Sequence, residues 1–338
     1  MKNDIFKLLE GITQDSESTF NINDRVLLID GFNLFMRNFA MINHINNDGD
    51  HIGGLGGFLK SLGYLIKETQ PTSVYIIFDG IGSSLNRKNL VPEYKSGRTR
   101  QKITNKNIFS SLDEESDAKV NQISRLIHYL RCLPVKLICI DRTEADDIIA
   151  YLAKKFQKVI IVSSDNDFYQ LLSDSVSIFK PHEKYYFTNV NFKEKYGFNP
   201  ENYIIYKVLV GDASDNIKGI KDLGPKTLLQ KFPELLEQKL TLDDIFKISE
   251  DSYKKHIIYS RIIFEAQTLR NYYHIMDLEN PLIDDKVKEE IELVINQKTI
   301  LDKSNFLQLY AIDKLNHTIT NLGGWLNEFS FLHNIQLK

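Results

Sequence analysis

Apolar runs of strand length alternate with amphipathic segments over roughly the first half of the chain. The pattern predicts strands over 25–30, 74–80, 136–140 and 158–165, and helices over 54–69, 114–131 and 143–156. Strands that alternate with helices usually build a parallel sheet with helices packed on it. We therefore expect an α/β domain over 25–190, with a mainly parallel central sheet flanked by helices. Beyond Val190 the pattern is helical, which predicts a C-terminal helical domain over 191–338.

Two segments stand apart from this alternation. The first 13 residues carry apolar side chains at helical spacing, namely Ile5, Leu8, Leu9 and Ile12. With the polar stretch behind them, they predict an amphipathic tail on a linker over 1–24. Residues 81–113 have no apolar periodicity and far exceed the usual connection of about six residues, so we expect a functional loop there. The tail and the apolar segment 323–332 could each dock a partner protein or pack onto the parent domain.

Composition narrows the class of protein. The chain has 338 residues, of which 42% are hydrophobic and 26% charged, and its apolar runs are far shorter than the roughly 20 residues of a membrane helix. The first residues lack the apolar core of a secretory signal, so we expect a cytoplasmic protein. Two cysteines do not make a disulfide framework, and we expect Cys132 and Cys139 to be reduced and packed.

Three of the predicted strands end in aspartate. Asp30 closes the first, Asp79 follows the second, and Asp165 and Asp167 come at the end of the last. Any one of these residues alone is more often a helix cap or a turn former. The carboxyl ends of parallel strands, however, line a common crevice. Repetition at three strands therefore favours a shared site.

Further acids stand at two helix ends. Glu144, Asp146 and Asp147 open the predicted helix over 143–156, where acids also favour the helix dipole, so a structural role is the alternative. At about 100° per residue, Glu144 and Asp147 share a face and Asp146 points elsewhere. One of the three would then act through water or from behind the ligands. Asp212 and Asp215 follow an apolar helix, whose dipole they oppose, and this favours function.

Together these acids predict a metal site. The nine are Asp30, Asp79, Glu144, Asp146, Asp147, Asp165, Asp167, Asp212 and Asp215. Two carboxylates about 4 Å apart repel by about 4 kcal/mol at an effective dielectric of about 20, and the motifs contain no interleaved Lys or Arg. Oxygen ligands without His or Cys select Mg²⁺ or Mn²⁺, and two such ions about 4 Å apart form the usual clamp for phosphoryl displacement. A glycosidase-type pair would need only two acids.

A basic run follows the second strand. Residues 86–106 hold seven Lys or Arg and one acid, and the net charge of −3 becomes +6 once the nine acids are set aside. Such a run is usually a solvated surface. Alternatively, the run contacts the phosphates of a nucleic-acid backbone. Lys95 and Arg98 would then lie at the scissile phosphate, and Tyr94 would stack on a base. The candidate nucleic-acid contacts in it are Arg87, Lys88, Tyr94, Lys95, Arg98 and Arg100.

A glycine-punctuated stretch over 217–231 precedes a new apolar helix. Gly219 and Gly224 allow close backbone approach, and the following helix start, with Lys226 and Thr227, offers N–H groups to phosphate oxygens. A plain turn between two helices is the alternative.

The motifs LIDGFN, FDG, EYKSGR, EADD, SSDNDF and GDASDNIKG occur in this order over about residues 25–230. Together they resemble the phage 5′ nucleases, in particular the T-even phage ribonuclease H type, within the superfamily of the flap endonucleases and the 5′ nuclease domain of bacterial DNA polymerase I. The resemblance implies a PIN-like core with an arch over 81–113. It assigns Asp30, Asp79, Glu144, Asp146, Asp165 and Asp167 as metal ligands, Asp147, Asp212 and Asp215 as acids that hold a second ion partly through water, and Lys95 and Arg98 as the basic pair at the scissile phosphate. The catalytic set is Asp30, Asp79, Asp146, Asp165, Lys95 and Arg98.

The resemblance also implies an activity. It is that of a Mg²⁺-dependent 5′ to 3′ exonuclease and flap endonuclease, which leaves 5′-phosphates and removes RNA primers and flaps in replication. The same resemblance implies two Mg²⁺ or Mn²⁺ ions and a K⁺ at the helix-hairpin element 217–231. It implies DNA and RNA–DNA substrates, with a sliding clamp and a single-strand binding protein as partners. We also expect a monomer in the host cytoplasm. Asp222 stands where the hairpin usually has a glycine. A PIN-type endoribonuclease and a non-catalytic branched-DNA binding protein remain as alternatives.

Overall fold

The protein is described by a computed structural model that covers residues 24–96, 102–315 and 318–336. The predicted tail up to residue 23, and Arg98 and Arg100 of the basic run, lie outside these described residues.

A sheet of six strands forms the centre of the described structure, in the order β3-β2-β1-β4-β5-β6. The strands are β1 (Val26–Asp30), β2 (Ser73–Asp79), β3 (Lys136–Ile140), β4 (Val159–Val162), β5 (Val176–Lys180) and β6 (Tyr185–Phe187). All neighbours pair in parallel except β5 and β6, which are antiparallel. β1 is buried on both faces. This explains why its sequence is a continuous apolar run rather than an alternating one.

Helices cover both faces of the sheet. Those of the first half are α1 (Gly31–Met41), α2 (Gly53–Thr69), α3 (Leu85–Leu90), α4 (Leu112–Arg131) and α5 (Ala145–Lys155). Alternate residues of β1 point to opposite faces, so that Leu27 and Ile29 join a core with α1, α2 and α4, while Leu28 joins a core with α5. The predicted mainly parallel sheet flanked by helices is thus confirmed, although α1, α3, β5 and β6 are missing from the sequence prediction.

The second half of the chain is mostly helical. It contains α6 (Asn189–Tyr196), α7 (Tyr203–Val210), α8 (Pro225–Lys231), α9 (Leu242–Ser252), α10 (Ile257–Phe264), α11 (Ala266–Met276), α12 (Asp285–Ile295), α13 (Lys303–Ile312) and α14 (Leu322–Gln336), with a short antiparallel pair, β7 (Gly211–Asp212) and β8 (Ile217–Lys218), after α7. A third core links α7 to α11 and takes in Val91 and Tyr94 from the basic run.

The last helices return to the sheet. α12 packs beside β3, while Phe306 on α13 and Phe329 on α14 belong to the core of α1, α2 and α4. The packing therefore does not divide at residue 190, where the sequence pattern places a domain boundary. The apolar segment 323–332 packs on the parent fold, and Gly63 on α2 lies so close to Trp325 that a Cβ there would be 2.0 Å from the indole nitrogen.

The two cysteines differ in exposure. Cys132 is buried as expected, but Cys139 is exposed, because it lies on the outward face of the edge strand β3. Among the described helices, none has the length and apolarity required to cross a bilayer.

Candidate active site

Three of the strand-terminal aspartates meet at one edge of the sheet. Asp30 and Asp79 end the neighbouring strands β1 and β2, and Asp165 follows β4 on the other side of β1. Ser163 joins two of them, since its Oγ donates to Asp30 Oδ2 at 3.2 Å and accepts from the Asp165 N–H at 3.1 Å. Asp30 also caps α1, accepting from the Asn33 N–H at 3.0 Å. The carboxyl ends of β1, β2 and β4 therefore form one acidic edge.

The start of α5 brings a fourth acid to this edge. The Ala145 N–H donates to Asp79 Oδ1 at 2.8 Å, which fixes the first turn of α5 against β2. Burial, followed by the charges of Asp165 and Asp30, raises the pKa of Asp146 well above its ordinary value. Burial likewise raises the pKa of Asp30 to about 7, with contributions from Asp79 and Asp165. Asp30, Asp79, Asp146 and Asp165 thus repel one another, and we call them the acid quartet.

Glu144 lies beside the quartet but has a different environment. Its Oε2 accepts from Lys95 Nζ at 2.9 Å and from the Tyr94 hydroxyl at 3.2 Å, and Arg87 Nη1 lies 3.5 Å away. Burial alone would raise the pKa of Glu144, but Arg87 and Lys95 outweigh it and lower that pKa. Its Oε1 is buried and has no hydrogen-bond partner among the described residues. One oxygen is therefore held by three groups and the other is left for a ligand.

Asp147 is engaged elsewhere. Arg87 donates to it from both terminal nitrogens, at 2.7 and 2.9 Å, and the Leu282 N–H donates to the same carboxylate at 3.0 Å. Arg87 Nε also donates to the Ile275 carbonyl at 2.7 Å. Arg87 is only 4% exposed and Asp147 only 1%. The pair ties α5 to the helical half. Contrary to the sequence prediction, Asp147 therefore does not lie at an ion site, and Arg87 does not lie on a DNA-binding surface.

A second acidic group lies next to the quartet. Carboxylate oxygens of Asp167, Asp212 and Asp215 lie within 4.8 Å of one another. Lys207, buried on α7, pairs with both Asp167 and Asp212. Burial raises the pKa of Asp167 to about 6 against the effect of Lys207, whereas for Asp212 the lysine outweighs burial and lowers the pKa. The protein thus supplies a cation of its own to this group.

These pairs correct the charge argument drawn from the sequence, in which no Lys or Arg offsets the acids. Arg87, Lys95 and Lys207 offset four of the nine, namely Glu144, Asp147, Asp167 and Asp212. Lys207 carries a detectable signal, because a single charge inside the apolar run IIYKVLV usually has a buried partner. In the described residues, no Lys or Arg forms an ion pair with any member of the quartet.

The residues present fit divalent cations. The quartet offers carboxylate oxygens that form no ion pair with a described Lys or Arg, and the Oε1 of Glu144, which has no hydrogen-bond partner among the described residues, is a fifth donor of the same kind. Such an all-oxygen set suits Mg²⁺ or Mn²⁺. The donors that hold Glu144 Oε2 resemble the outer partners that orient metal ligands. Asp167, Asp212 and Asp215 offer a second set, which an ion would share with Lys207.

The basic run contributes less surface than its composition indicates. Tyr94 is 3% exposed and packs in the third core, so it is not available to stack on a base. Lys95 is 17% exposed at its side chain and has φ +54°, held by its N–H bond to the Asp215 carbonyl at 2.9 Å. Lys88 is exposed. Of the described members that contact Glu144, Lys95 is therefore the one whose side chain is partly exposed.

The glycine-punctuated stretch contains β8, which pairs with β7, and α8. A Cβ on Gly219 would lie 2.0 Å from the Val210 carbonyl, so the close approach there requires glycine. Gly224 precedes α8, and Lys226 and Thr227 lie in its first turn. Asp222 has φ +66°, a conformation that favours glycine, and its carboxylate pairs with Arg261 at 2.6 Å.

A large cavity in the described structure lies away from the acids. A cleft of about 1340 Å³ lies between α3, the end of β3 and the segment 274–290, and its lining contains none of the nine acids but includes Cys139. A smaller cavity of about 390 Å³ is lined by Asp165, Asp167 and Asp212. We place the site at the smaller cavity and the quartet, because chemistry rather than volume distinguishes them.

Comparisons with known proteins agree with this geometry. A family model described as 5′-3′ exonuclease, N-terminal resolvase-like domain, matches residues 25–197. The chain is 32% identical over 222 residues to a 5′-3′ exonuclease of Buchnera aphidicola, a match that covers 63% of this chain and 72% of the relative. It is 31% identical over 243 residues to the thermostable DNA polymerase I of Thermus thermophilus, covering 70% of this chain but 27% of the polymerase. The chain spans about a quarter to a third of the polymerases it matches.

Solved structures share the fold. A bacteriophage T5 flap endonuclease, crystallised with DNA and metal ions, superposes with a TM-score of 0.60 at 19% identity over 86% of this chain and 99% of that one. Human GEN1 in complex with Holliday junction DNA superposes with a TM-score of 0.57 at 13% identity, over 92% of this chain and 72% of that one.

Proposed function

The chain belongs to the 5′-3′ exonuclease family, and from that membership we propose that it is a structure-specific 5′ nuclease that depends on divalent metal ions. It hydrolyses phosphodiester bonds near 5′ ends and leaves 5′-phosphate products. The observation that carries this proposal is the acid quartet, a set of four carboxylates gathered at one sheet edge without an ion pair to any described Lys or Arg.

In this proposal the quartet and Glu144 Oε1 hold one ion, and Asp167, Asp212 and Asp215 hold a second. When bound, such ions stabilise the charge that develops on the phosphodiester and lower the pKa of water. Lys95 lies 2.9 Å from Glu144 Oε2 and offers its ammonium group to the phosphate at the rim. Arg98, outside the described residues, completes the basic pair that the family resemblance implies. Arg87 and Tyr94 orient Glu144 from behind.

The finer substrate class follows from the resemblance to phage ribonuclease H and polymerase I domains. We propose Mg²⁺ as the working ion and DNA flaps, nicks and RNA-primed duplexes as substrates, with primer removal in replication as the role. A K⁺ ion at 217–231, a sliding clamp and a single-strand binding protein belong to the same proposal. Clamp stimulation that is lost on deletion of residues 1–13 would support docking through the tail, and unchanged stimulation would reject it.

A labelled-substrate panel tests the proposed activity. Single strand, 5′ flap, nick and RNA-primed duplex are incubated with the protein in Mg²⁺ or in chelator. We expect Mg²⁺-dependent cleavage that prefers 5′ flaps and duplex junctions. Cleavage of single-stranded RNA alone would select a PIN-type ribonuclease instead. Tight binding to branched DNA without any cleavage would indicate a non-catalytic DNA-binding protein.

A further inference from the structure

An aromatic wall stands opposite the acids of the smaller cavity. That cavity, of about 390 Å³, is lined on one side by Asp165, Asp167 and Asp212 and on another by Tyr203 and Tyr206 of α7. Its volume lies in the range of small-molecule sites, about 300–1,000 Å³. Family membership accounts for the acids, but neither the proposed chemistry nor the basic run makes use of the tyrosines.

The tyrosine wall is held rigidly. The rings of Tyr203 and Tyr206 are stacked, with centroids 5.7 Å apart and planes 11° from parallel. Tyr196 and Phe198 pack against Tyr206 from the protein side, at centroid distances of 5.6 and 5.8 Å. Tyr203 is buried and Tyr206 is half-buried. The ring of Tyr206 therefore lines the cavity and has three other rings packed against it.

Neutral polar groups line the remaining sides. Asn33 Oδ1 accepts from the Ser164 N–H at 3.0 Å, and Asn166 Oδ1 accepts from Lys180 Nζ at 3.2 Å. Both oxygens are thus engaged, and each side-chain amide presents its NH₂ group away from that bond. Amide NH₂ groups donate to the ring nitrogens and carbonyls of nucleobases. The cavity combines a flat ring with such donors.

We propose that this cavity is a subsite for the nucleobase adjoining the scissile phosphate, which stacks on Tyr206. The inference rests on the proposed function and deepens it. A flat, uncharged base suits both the ring and the acids, and stacking on an aromatic ring tolerates any base sequence.

The test removes the ring and the base in turn. Tyr206→Leu and the wild-type chain are compared in single-turnover cleavage of a 5′-flap duplex that is intact or abasic at the nucleotide on either side of the cleaved bond. We expect Tyr206→Leu to slow cleavage of the intact duplex by about tenfold, as base–aromatic stacking implies. With one of the two abasic duplexes, Tyr206→Leu and the wild-type chain should cleave at the same rate, because the base that stacks on the ring is missing. Tyr206→Phe keeps the ring and should keep the preference for the intact duplex.

Tyr185→Leu is the matched control, since Tyr185 is an exposed ring on the edge strand β6 and does not line the cavity. It should cleave all three duplexes like the wild type. A tenfold loss for Tyr206→Leu that persists at both abasic positions would overturn the subsite. A wild-type chain that cleaves none of the duplexes would instead refute the proposed nuclease function.

A second measurement needs no tyrosine variant. 2-Aminopurine, whose fluorescence is quenched by stacking, replaces the base at the same two positions, and the labelled duplex is bound in chelator so that it stays intact. Binding should alter the fluorescence at one of the two positions in the wild-type chain. Binding without a change at either position would overturn the subsite even if Tyr206→Leu fails to fold.

Discussion

Four acids near the quartet form ion pairs, and we call Glu144, Asp147, Asp167 and Asp212 the paired acids. Both groups lie at the same end of the sheet, yet among the described residues no Lys or Arg pairs with a member of the quartet. Glu144, Asp147, Asp167 and Asp212 each contact a buried Arg or Lys. Members of the quartet instead lie beside one another. Burial raises the pKa values of Asp30, Asp79 and Asp146, and the charges of other quartet members add to this for Asp30 and Asp146. Identical side chains therefore have different tasks. In the proposed function the quartet offers its oxygens to a metal ion, while the ion pairs of the other acids tie elements of the fold together.

The largest effect should come from neutralising one member of the quartet. Asp165→Asn should slow turnover by at least about a thousandfold, because several kcal/mol of charge stabilisation are lost at about tenfold per 1.4 kcal/mol. DNA affinity, measured by fluorescence anisotropy in chelator, should stay within about twofold, since no described Lys or Arg depends on this carboxylate. Normal cleavage by this variant would remove the metal-site argument.

A paired acid should show the opposite profile. Asp147→Asn should lower the free energy of unfolding by about 3 kcal/mol, since the buried Arg87 loses the carboxylate that holds both of its terminal nitrogens. Urea unfolding in chelator measures this. Asp285→Asn is the matched control, because Asp285 and its partner Lys288 are both exposed, and it should leave stability unchanged. Equal effects of the two substitutions would erase the distinction between the quartet and the paired acids.

Lys207 lies where the two sets of acids meet. Lys207→Met should cost about 2 kcal/mol of stability in chelator, because Asp167 and Asp212 lose a shared charged donor. Mg²⁺ should then restore more stability in this variant than in the wild type, since the ion no longer competes with an ammonium group. Thermal unfolding with and without Mg²⁺ is the measurement. A smaller Mg²⁺ increment than in the wild type would show that Lys207 helps to build the ion site.

The smallest effect should come from one of the groups behind Glu144. Tyr94→Phe removes a single hydroxyl that donates to Glu144 Oε2, while Lys95 and Arg87 remain in place. We expect a stability loss of about 1 kcal/mol and a severalfold increase in the Mg²⁺ concentration required for half-maximal cleavage. An unchanged Mg²⁺ requirement would indicate that the two cations alone orient this carboxylate.

Much of the quartet could be predicted because strand ends are visible in the sequence. β1 and β2 are apolar runs that stop at Asp30 and Asp79, and parallel strands end at the same edge. The ion pairs could not be predicted in this way. Arg87 and Asp147 are 60 positions apart, and Lys207 and Asp167 are 40 apart. Such pairs depend on how α3 and α7 dock, which no local periodicity reports.

The basic run shows the same limit on a smaller scale. Its composition indicates a solvated surface or a set of phosphate contacts, and Lys88 and Lys95 remain compatible with those roles. Arg87 and Tyr94, spaced seven positions apart with Val91 between them, are buried instead. Helical spacing of these three residues is a signal that the high positive charge of the segment obscures.

The return of α13 and α14 to the sheet has a consequence for biosynthesis. Phe35 and Leu59 leave the ribosome long before Phe306, Phe329 and Leu332, which complete the same core. At a translation rate of roughly 5–20 residues per second, that apolar surface is synthesised tens of seconds before α13 and α14, which cover it. The nascent polypeptide therefore exposes part of this core until α13 and α14 are made, and a chain that terminates before α13 would leave the same apolar surface uncovered.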